Sequence, residues 1–311
     1  MKKLTHFMLL ILPAFIIFSC EQPYTPPDFN TEPQIVIEGY LEAGQGAGIP
    51  YVLVTKSLPF LTEISPGDFD ILFVSNAVVA VSSDGKKVPL TQLCLNQLPE
   101  ELKKQAAIAL GLNPNNITAN ICAYVDLLQQ IKPQIGKTYD LEVLVDGKTI
   151  TASTTIPNYV GLDSFRWTDL PGEPNDTLAQ LLVTINDPPG KNYYRYFTAQ
   201  GDESLIPPFT SVTDDVFFDG KEFEFPLTKA ERRGGDFDPN SFGYYTRGDS
   251  VTIKWCTIDK AHFDFWNTRD NGANSGGPFS SYIRVKTNIN GGLGIWGGYA
   301  VGVTKLYCPE K

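Results

Sequence analysis

The sequence predicts a mainly β protein built from two β-sandwich domains, the first of which carries a helical insertion clipped by a disulfide. Short segments of alternating apolar and polar residues recur along the chain and are separated by turn residues. The 27 glycines, 23 prolines and 12% aromatic residues favour strands and turns over helices. With 311 residues and 42% hydrophobic residues, the chain is long and apolar enough for about two domains with buried cores.

Residues 1–19 have the three zones of a secretory signal peptide. Lys2 and Lys3 give a basic start, and residues 7–18 form an apolar stretch that is too short to cross about 30 Å of hydrocarbon as a helix. The residues up to Cys20 resemble a bacterial lipobox, which predicts that Cys20 becomes the mature N-terminus and carries a lipid. The alternative is an ordinary signal peptide followed by an incidental cysteine.

Residues 20–33 are predicted to form a lipidated tether. They contain four prolines: Pro23, Pro26, Pro27 and Pro33. Because proline lacks the backbone N–H and fixes φ, this segment is incompatible with a helix or an inner strand. An extended tether of this kind would hold the folded body away from the bilayer.

The formal net charge of −10 at pH 7 has the wrong sign for a nucleic-acid-binding protein, which needs a basic surface to contact phosphates. The same charge disfavours purely electrostatic binding to anionic lipids. No segment after residue 19 is long and apolar enough to span a membrane. The lipid on Cys20 is therefore the predicted membrane anchor.

The first predicted domain covers residues 34–157. Its predicted strands are residues 34–41, 51–57, 76–82, 138–145 and 149–155. Asp-Gly pairs at Asp84 and Asp146 are hairpin signals. The pattern Gly136-x-x-Tyr139-x-Leu141-x-Val143 resembles the strand that follows a tyrosine corner in immunoglobulin-like sandwiches, which makes Tyr139 a structural residue.

A helical insertion is predicted at residues 95–132. Its first helix, residues 99–110, begins with proline and two acids, as the helix dipole favours. A second helix is predicted at residues 119–131, capped by Thr118 and ended by Pro133. The insertion fits a ligand-binding element and a structural flap equally well.

Four cysteines remain if Cys20 is lipidated, and an even number in an exported protein indicates disulfides. Spacing alone allows three pairings. We favour Cys94–Cys122 and Cys256–Cys308, because each pair lies within one predicted domain. A four-cysteine zinc site is disfavoured because the chain has no Cys-x-x-Cys pair.

The second predicted domain, residues 158–311, is also β-rich. Its predicted strands are residues 162–167, 178–186, 193–200, 212–218, 222–227, 250–258, 282–288 and 298–307. A short helix is predicted at residues 260–268, after the capping residue Asp259. Many short strands separated by turns favour a second all-β sandwich.

No motif for catalysis or metal binding is present. His262 is the one histidine after residue 19, which excludes a two-histidine metal motif there, and we expect it to stack on Trp266 one helical turn away. Residues 236–240 begin like a calcium loop, but Ser241 and Arg247 stand where Gly and an acid are required. We therefore predict no catalytic residue, no metal and no cofactor apart from the lipid, and we favour a non-enzymatic protein while leaving activity open.

Four aromatic residues are candidates for an exposed binding surface. Tyr194 and Tyr196 belong to an aromatic run at residues 193–197, and Trp296 and Tyr299 belong to a glycine-rich stretch. Aromatic side chains stack on sugars and anchor partner proteins. The alternative is a structural role, because about half of the side chains in a strand face the core.

Several pieces of the chain together resemble one known family. They are Val-Ile-Glu-Gly at 36–39, Gly-Lys-Thr-Tyr at 136–139, Thr-Thr-Ile-Pro at 154–157, Cys-Thr-Ile-Asp-Lys at 256–260, Phe-Trp at 265–266 and the glycine stretch ending at Tyr299. This set is similar to the Bacteroidota lipoprotein family called domain of unknown function 4249 (DUF4249).

The resemblance implies an outer-membrane lipoprotein, commonly encoded beside TonB-dependent receptors, and it supplies no catalytic residues. We therefore expect a non-enzymatic ligand-binding or accessory partner of such a receptor. The alternatives are an envelope hydrolase of glycans or peptides that uses paired carboxylates and a surface structural or adhesion module. Whether the body faces the periplasm or the cell surface is left open.

Overall fold

The structure is a computed structural model that describes residues 32–58, 70–110, 112, 114–117, 119–172, 175–232, 234, 237–274 and 284–311. The predicted signal peptide, Cys20 and nearly all of the predicted tether lie outside the described residues. The described residues 33–58 and 70–311 belong to one compact unit.

The described residues form sixteen strands and two α-helices. The strands are β1 (Ile35–Gly44), β2 (Tyr51–Lys56), β3 (Val78–Ser83), β4 (Lys86–Pro89), β5 (Thr91–Cys94), β6 (Cys122–Val125), β7 (Thr138–Val145), β8 (Lys148–Thr155), β9 (Leu162–Thr168), β10 (Leu178–Asn186), β11 (Tyr193–Gln200), β12 (Val212–Asp214), β13 (Glu222–Pro226), β14 (Tyr245–Thr246), β15 (Ser250–Ile258) and β16 (Leu293–Tyr307). The helices are α1 (Glu100–Ala109) and α2 (Lys260–Asn274), and a 3₁₀ turn (Leu95–Gln97) precedes α1.

The described strands are arranged in three sheets. The largest has eight strands in the order β12-β11-β15-β16-β1-β2-β6-β5. A four-stranded sheet has the order β4-β3-β7-β8, and in another β10 pairs with β9, β13 and β14. In the large sheet, β1 and β16 run parallel, although they lie near opposite ends of the chain.

One face of the large sheet is covered by both smaller sheets. Ile37 and Trp296 from this face pack in one cluster with Val143 and Ile150 from the sheet β4-β3-β7-β8. Farther along the same face, Trp255 and its neighbours pack in a second cluster with residues of the β10 sheet. The two hydrophobic cores are therefore built on one shared layer.

The opposite face of the large sheet is covered in part by α2. Because successive side chains of a strand point to opposite faces, Tyr40 and Cys256 lie on this side, away from the two cores. They form a third cluster with Trp266 of α2 and with Tyr299 and Val301 of β16.

The mainly β class is confirmed, but two separate immunoglobulin-like sandwiches are not. Strands from both sides of residue 157 share the eight-stranded sheet, and the pairing of β1 with β16 joins the two predicted domains. Tyr139 is buried as expected: its hydroxyl donates to the Lys132 carbonyl at 3.2 Å and accepts from the Gln134 N–H at 2.9 Å. These local contacts match the predicted structural role of this tyrosine.

The two predicted helices of the insertion have different outcomes. Helix α1 confirms the first one. The second, predicted at residues 119–131, is wrong, because Cys122–Val125 form strand β6 between β5 and β2. The strand predicted at 282–288 is also wrong in its described part, residues 284–288, and the last strand begins earlier, at Leu293.

Candidate functional site

An apolar cavity of about 280 Å³ lies between the helical insertion and the β5 edge of the large sheet. Its walls come from β2, β5, β6, the 3₁₀ turn and α1, and they include Leu93, Leu95, Ala106 and Leu110. The volume is close to the lower limit of about 300 Å³ that is usual for small-molecule sites. We take this cavity as the candidate functional site because its lining is apolar and its mouth is exposed.

The sequence of α1 explains how the helix forms one wall. Pro99 precedes the helix, where its missing N–H has no partner to lose, and Glu100 and Glu101 lie at the positive end of the helix dipole. Ala106 and Leu110 are four residues apart and therefore lie on one side of this segment, which borders the cavity. The small side chain of Ala106 leaves space there.

The predicted disulfide Cys94–Cys122 is confirmed. The two cysteines occupy directly paired positions of β5 and β6. Their neighbours Leu93 and Ala123 line the cavity. The disulfide therefore fixes the distance between two strands of the cavity wall.

Large apolar side chains surround the mouth of the cavity. Ile49 and Leu127 line it and are 67% and 56% exposed, and the adjacent Leu128 is 79% exposed. Single exposed apolar residues are common, but several gathered at the mouth of an apolar cavity indicate an interaction surface. Neither Ile49 nor Leu127 was identified from the sequence.

Polar groups are few in this cavity. Asp126 borders the cavity and is 5% exposed, and its carboxylate accepts a hydrogen bond at 2.6 Å from the N–H of Ile131, a residue of the first hydrophobic cluster that does not line the cavity. Gln129 also lines the cavity, and its N–H donates to the Asp126 carbonyl at 3.1 Å. Burial raises the pKa of Tyr51, so that its hydroxyl stays neutral and available as a donor.

The second predicted disulfide is wrong, because Cys256 and Cys308 are free and buried. Cys308 lies opposite Asp249, to whose carbonyl its N–H donates, whereas Cys256 lies opposite Val301. Asp249 precedes Cys256 by seven positions, a distance of roughly 23 Å along an extended strand, and a disulfide needs Cα atoms within about 7 Å. Burial raises the pKa of the Cys256 thiol to about 12, which makes it unreactive at neutral pH.

The predicted aromatic binding surface is wrong for three of its four residues. Tyr194, Trp296 and Tyr299 are buried. Trp296 donates its indole N–H to the Tyr139 carbonyl at 2.9 Å, which is a core contact between two sheets. Tyr196 is half-buried, and its hydroxyl shares a hydrogen bond with Thr228 at 2.8 Å. The smaller sheets cover one face of the large sheet here and α2 covers part of the other, so these side chains are not available as an exposed binding surface.

A buried charged cluster lies between α2 and the large sheet, and sequence analysis missed it. Arg195 is 3% exposed, donates to the Tyr299 hydroxyl and has its guanidinium carbon 3.6 Å from the centre of the Trp266 ring. The ring of His262 lies 4.4 Å from that of Tyr299 and 5.8 Å from that of Tyr40. The predicted stacking of His262 on Trp266 is wrong, because each side chain packs instead on a residue of the sheet beneath it.

His262 gives this cluster a predictable response to pH. Burial lowers the pKa of His262 well below its usual value, and the charge of Arg195 lowers it further, while a hydrogen bond with the Gly298 carbonyl acts in the opposite direction. The other neighbouring groups, Tyr40 and Tyr299, have raised pKa values and stay neutral. The unfolded chain therefore binds a proton at His262 that the folded protein does not.

We expect the free energy of unfolding to fall as the pH drops below about 6.5, the usual pKa of histidine, with a contribution from His262 that approaches ~1.4 kcal/mol per pH unit. The variant His262→Gln should lose this contribution because its side chain does not titrate. Urea unfolding of both proteins between pH 7.5 and pH 5 measures the difference. The prediction would be contradicted if the free energy of unfolding changed with pH in the same way in both proteins.

Three carboxylates gather beside β11. The ligand atoms of Asp187, Asp215 and Asp219 lie within 4.8 Å of one another. Tyr194 donates to Asp187, and the Lys191 ammonium group donates to Asp215 at 2.9 Å. The bond from Lys191 joins the turn between β10 and β11 to the segment after β12, and the bond from Tyr194 joins β11 to the same turn, so both have a structural role.

Residues 21–305 match the sequence profile of the family described as Domain of unknown function (DUF4249). The chain belongs to the DUF4249 family. The search of curated proteins gave no match. None of the helices in the described residues of this DUF4249 protein is long and apolar enough to cross a membrane. The matched range contains both the apolar cavity and the cluster beneath α2, so both are parts of the family domain.

Proposed function

We propose that this DUF4249 protein is a lipid-anchored, non-enzymatic binding protein of the outer membrane that acts as an accessory partner of a TonB-dependent receptor. The observation that carries the proposal is the apolar cavity lined by the exposed residues Ile49 and Leu127, with the exposed Leu128 next to Leu127 in the chain. Apolar side chains exposed to water are stabilised when a ligand or a partner covers them. The receptor class follows from the gene neighbourhoods that the family resemblance implies.

The proposed anchor rests on the leader and Cys20. A basic start, a short apolar stretch and a cysteine at the end fit a lipoprotein signal. A lipoprotein with two or more acyl chains binds a bilayer stably, whereas one chain alone gives marginal binding. The tether then joins the lipid to the first strand of the folded body.

The position of the cavity supports access to it in an anchored protein. Strand β1 begins at Ile35, and Tyr51 of the cavity pairs with Tyr40 on one side and with Val125 on the other. Tyr40 is five residues beyond Ile35, or about 17 Å along the strand. The cavity is thus separated from the point where the chain enters the fold.

We expect tagged, full-length protein from its native host to co-purify with a TonB-dependent receptor after the outer membrane is dissolved in detergent. Leu127→Asp should reduce receptor recovery about tenfold, because a buried unpaired charge costs at least 1–2 kcal/mol in an apolar interface. Phe217→Asp is the matched control: Phe217 is 84% exposed and follows β12, at the opposite edge of the large sheet. Quantitative mass spectrometry of the eluates measures recovery.

The lipid anchor is tested in the same experiment. Cys20→Ala should leave the protein without N-terminal lipid and move it out of the membrane fraction. A mature N-terminus other than lipidated Cys20 would refute the anchor. The accessory role would be refuted if no receptor co-purified with the unmodified protein. It would also be refuted if the Leu127→Asp variant recovered as much receptor as the unmodified protein.

A further inference from the structure

We propose that a second cleft of the molecule binds a neutral sugar, in the form of one pyranose ring with equatorial hydroxyl groups such as a β-glucose unit. The cleft lies between the loop after β11 and the loop that joins β13 to β14, and its volume is about 250 Å³. It shares no lining residue with the apolar cavity, so the inference goes beyond the proposed accessory role. Three properties lead to it: exposed aromatic rings, hydrogen-bonding groups beside them, and charges that nearly balance.

Three phenylalanine rings form the apolar wall of this cleft. The ring of Phe242 contacts that of Phe209, with centroids 5.8 Å apart, and that of Phe237, with centroids 5.3 Å apart. Phe237 is 70% exposed and Phe242 is 40% exposed. The packing of Phe242 against both other rings supports Phe237 at the surface. An aromatic ring held there is stabilised when a flat apolar surface covers it.

Hydrogen-bonding groups lie directly beside these rings. Asp238 lines the cleft, and its carboxylate accepts the Asn240 N–H at 3.0 Å and the Ser241 hydroxyl at 3.1 Å. These bonds hold the pKa of Asp238 below its usual value, so the carboxylate is charged at neutral pH. Asp238 is exposed, and a carboxylate has about four acceptor sites, so it can accept further hydrogen bonds from the hydroxyl groups of a ligand.

The charges of the cleft nearly balance one another. The Lys229 ammonium group pairs with the Glu231 carboxylate at 3.1 Å, and the same carboxylate accepts the Gly243 N–H at 3.4 Å. The lining contains two cationic and three acidic residues: Lys229, Arg232, Glu203, Glu231 and Asp238. A charged ligand therefore meets no large excess of opposite charge, and this arrangement favours a neutral ligand.

A sugar ring matches all three properties. The hydroxyl groups of a β-glucose ring are equatorial, so each face of the ring presents C–H groups that can stack on Phe237, while the hydroxyls at its edge can bond to Asp238 and Ser241. At about 30 Å³ per water molecule the cleft holds about eight waters, which is space for one ring and not for a chain. A protein partner is disfavoured because it would remove water from the charged residues around the rings.

Saturation-transfer NMR with methyl β-D-glucopyranoside, glucuronate and sorbitol tests this assignment. The full-length protein is placed in phospholipid nanodiscs, because many detergents carry sugar headgroups, and empty nanodiscs give the background. We expect a Kd on the order of 1 mM for the glucoside, a small ligand that stacks on one aromatic ring. Sorbitol carries similar hydroxyl groups without a ring face and should bind at least tenfold more weakly. Glucuronate should bind no more tightly than the glucoside.

Cellobiose distinguishes the two sources of such a ring. Equal affinity for cellobiose and for the glucoside would indicate a single sugar. Binding of cellobiose that is at least fivefold tighter would indicate a glycan chain that continues beyond the cleft. In both cases the affinity should depend on Phe237.

Variants separate the aromatic ring from the rest of the cleft. Phe237→Ala should weaken binding of the glucoside about tenfold, and Phe237→Trp should bind it as well as the unmodified protein does, because tryptophan keeps a flat ring. Phe217→Ala is the matched control, since Phe217 is 84% exposed, follows β12 and does not line the cleft. Thermal unfolding shows whether each variant is folded.

The inference would be overturned if the unmodified protein did not bind the glucoside, if sorbitol bound as tightly, or if Phe237→Ala and Phe217→Ala had the same affinity. Tenfold tighter binding of glucuronate would overturn it in favour of an anion site. Loss of receptor recovery in Phe237→Ala, without glucoside binding by the unmodified protein, would assign the rings to a protein interface.

The sugar site and the accessory role can fail independently. If Phe237→Ala does not fold, the comparison of the glucoside with sorbitol on the unmodified protein decides alone. The accessory role is measured by receptor recovery with Leu127→Asp, at the other cavity. A protein that recovers the receptor but binds no glucoside would refute the sugar site alone.

Discussion

Replacing Gly294 with alanine is expected to lower the free energy of unfolding by about 4 kcal/mol or more, a large part of the 5–15 kcal/mol typical of a folded domain. Gly294 has φ of +105°, and a Cβ atom there would lie 1.8 Å from the carbonyl oxygen of Ile37. The two residues are paired in the ladder between β1 and β16. Because the obstacle is backbone, relief of the clash requires these two central strands to separate.

Chemical denaturation of the purified variant measures this loss. Gly85→Ala is the matched control: Gly85 also has a positive φ, +78°, but nothing lies within 4 Å of the position of its Cβ. The free energy of unfolding of Gly85→Ala should fall by only about 1–2 kcal/mol, which is the cost of a left-handed backbone conformation for alanine. Similar losses in the two variants would show that the approach of β1 and β16 at Gly294 is unimportant.

The double variant Cys94→Ala/Cys122→Ala, which lacks the disulfide, is expected to have a free energy of unfolding about 3–4 kcal/mol lower than that of the unmodified protein. The disulfide closes a loop with a sequence separation of 28, and the loss reflects the greater conformational freedom of the unfolded chain.

A reducing agent provides the control for this prediction. It should destabilise the unmodified protein by about the same 3–4 kcal/mol and leave the double variant unchanged. The thiols of Cys256 and Cys308 should react with an alkylating agent only after unfolding, since both are buried. Destabilisation of the double variant by the reducing agent would contradict the assignment of the disulfide.

Features that depend on neighbouring residues were predictable from the sequence. Alternation of apolar and polar residues predicted β7, whose residues are alternately exposed and buried along its whole length. The pair Asp146-Gly147 predicted the turn that follows it, and both residues have positive φ, +49° and +74°. The first helix of the insertion was also predictable, because its start signals lie within one turn.

Features that depend on distant partners were not predictable. Residues 119–131 have helix signals at both ends, yet β6 forms there because its neighbours β2 and β5 supply backbone partners. The hydroxyl of the buried Tyr124 also donates to the Val74 carbonyl at 2.9 Å. Tertiary contacts therefore outweigh the local preference for a helix.

The candidate site shows the same division. The insertion and the Cys94–Cys122 disulfide were predicted, and the insertion was considered as a ligand-binding element. The exposed residues at the mouth were not, because Ile49 and Leu127 come together only through the pairing of Tyr51 with Val125. The burial of Trp296 and Tyr299 was not predictable either, because the sequence alone does not show that both faces of their sheet are covered.

The parallel pairing of β1 with β16 has a consequence for biogenesis. The first strand of the body finds one of its two neighbours only when residues 293–301 are available for pairing. Until then β1 has one side without hydrogen-bond partners, and such an edge is prone to aggregation. A polypeptide that lacks β16 would be left with this unpaired edge, so a chaperone or protease can distinguish it from the complete fold.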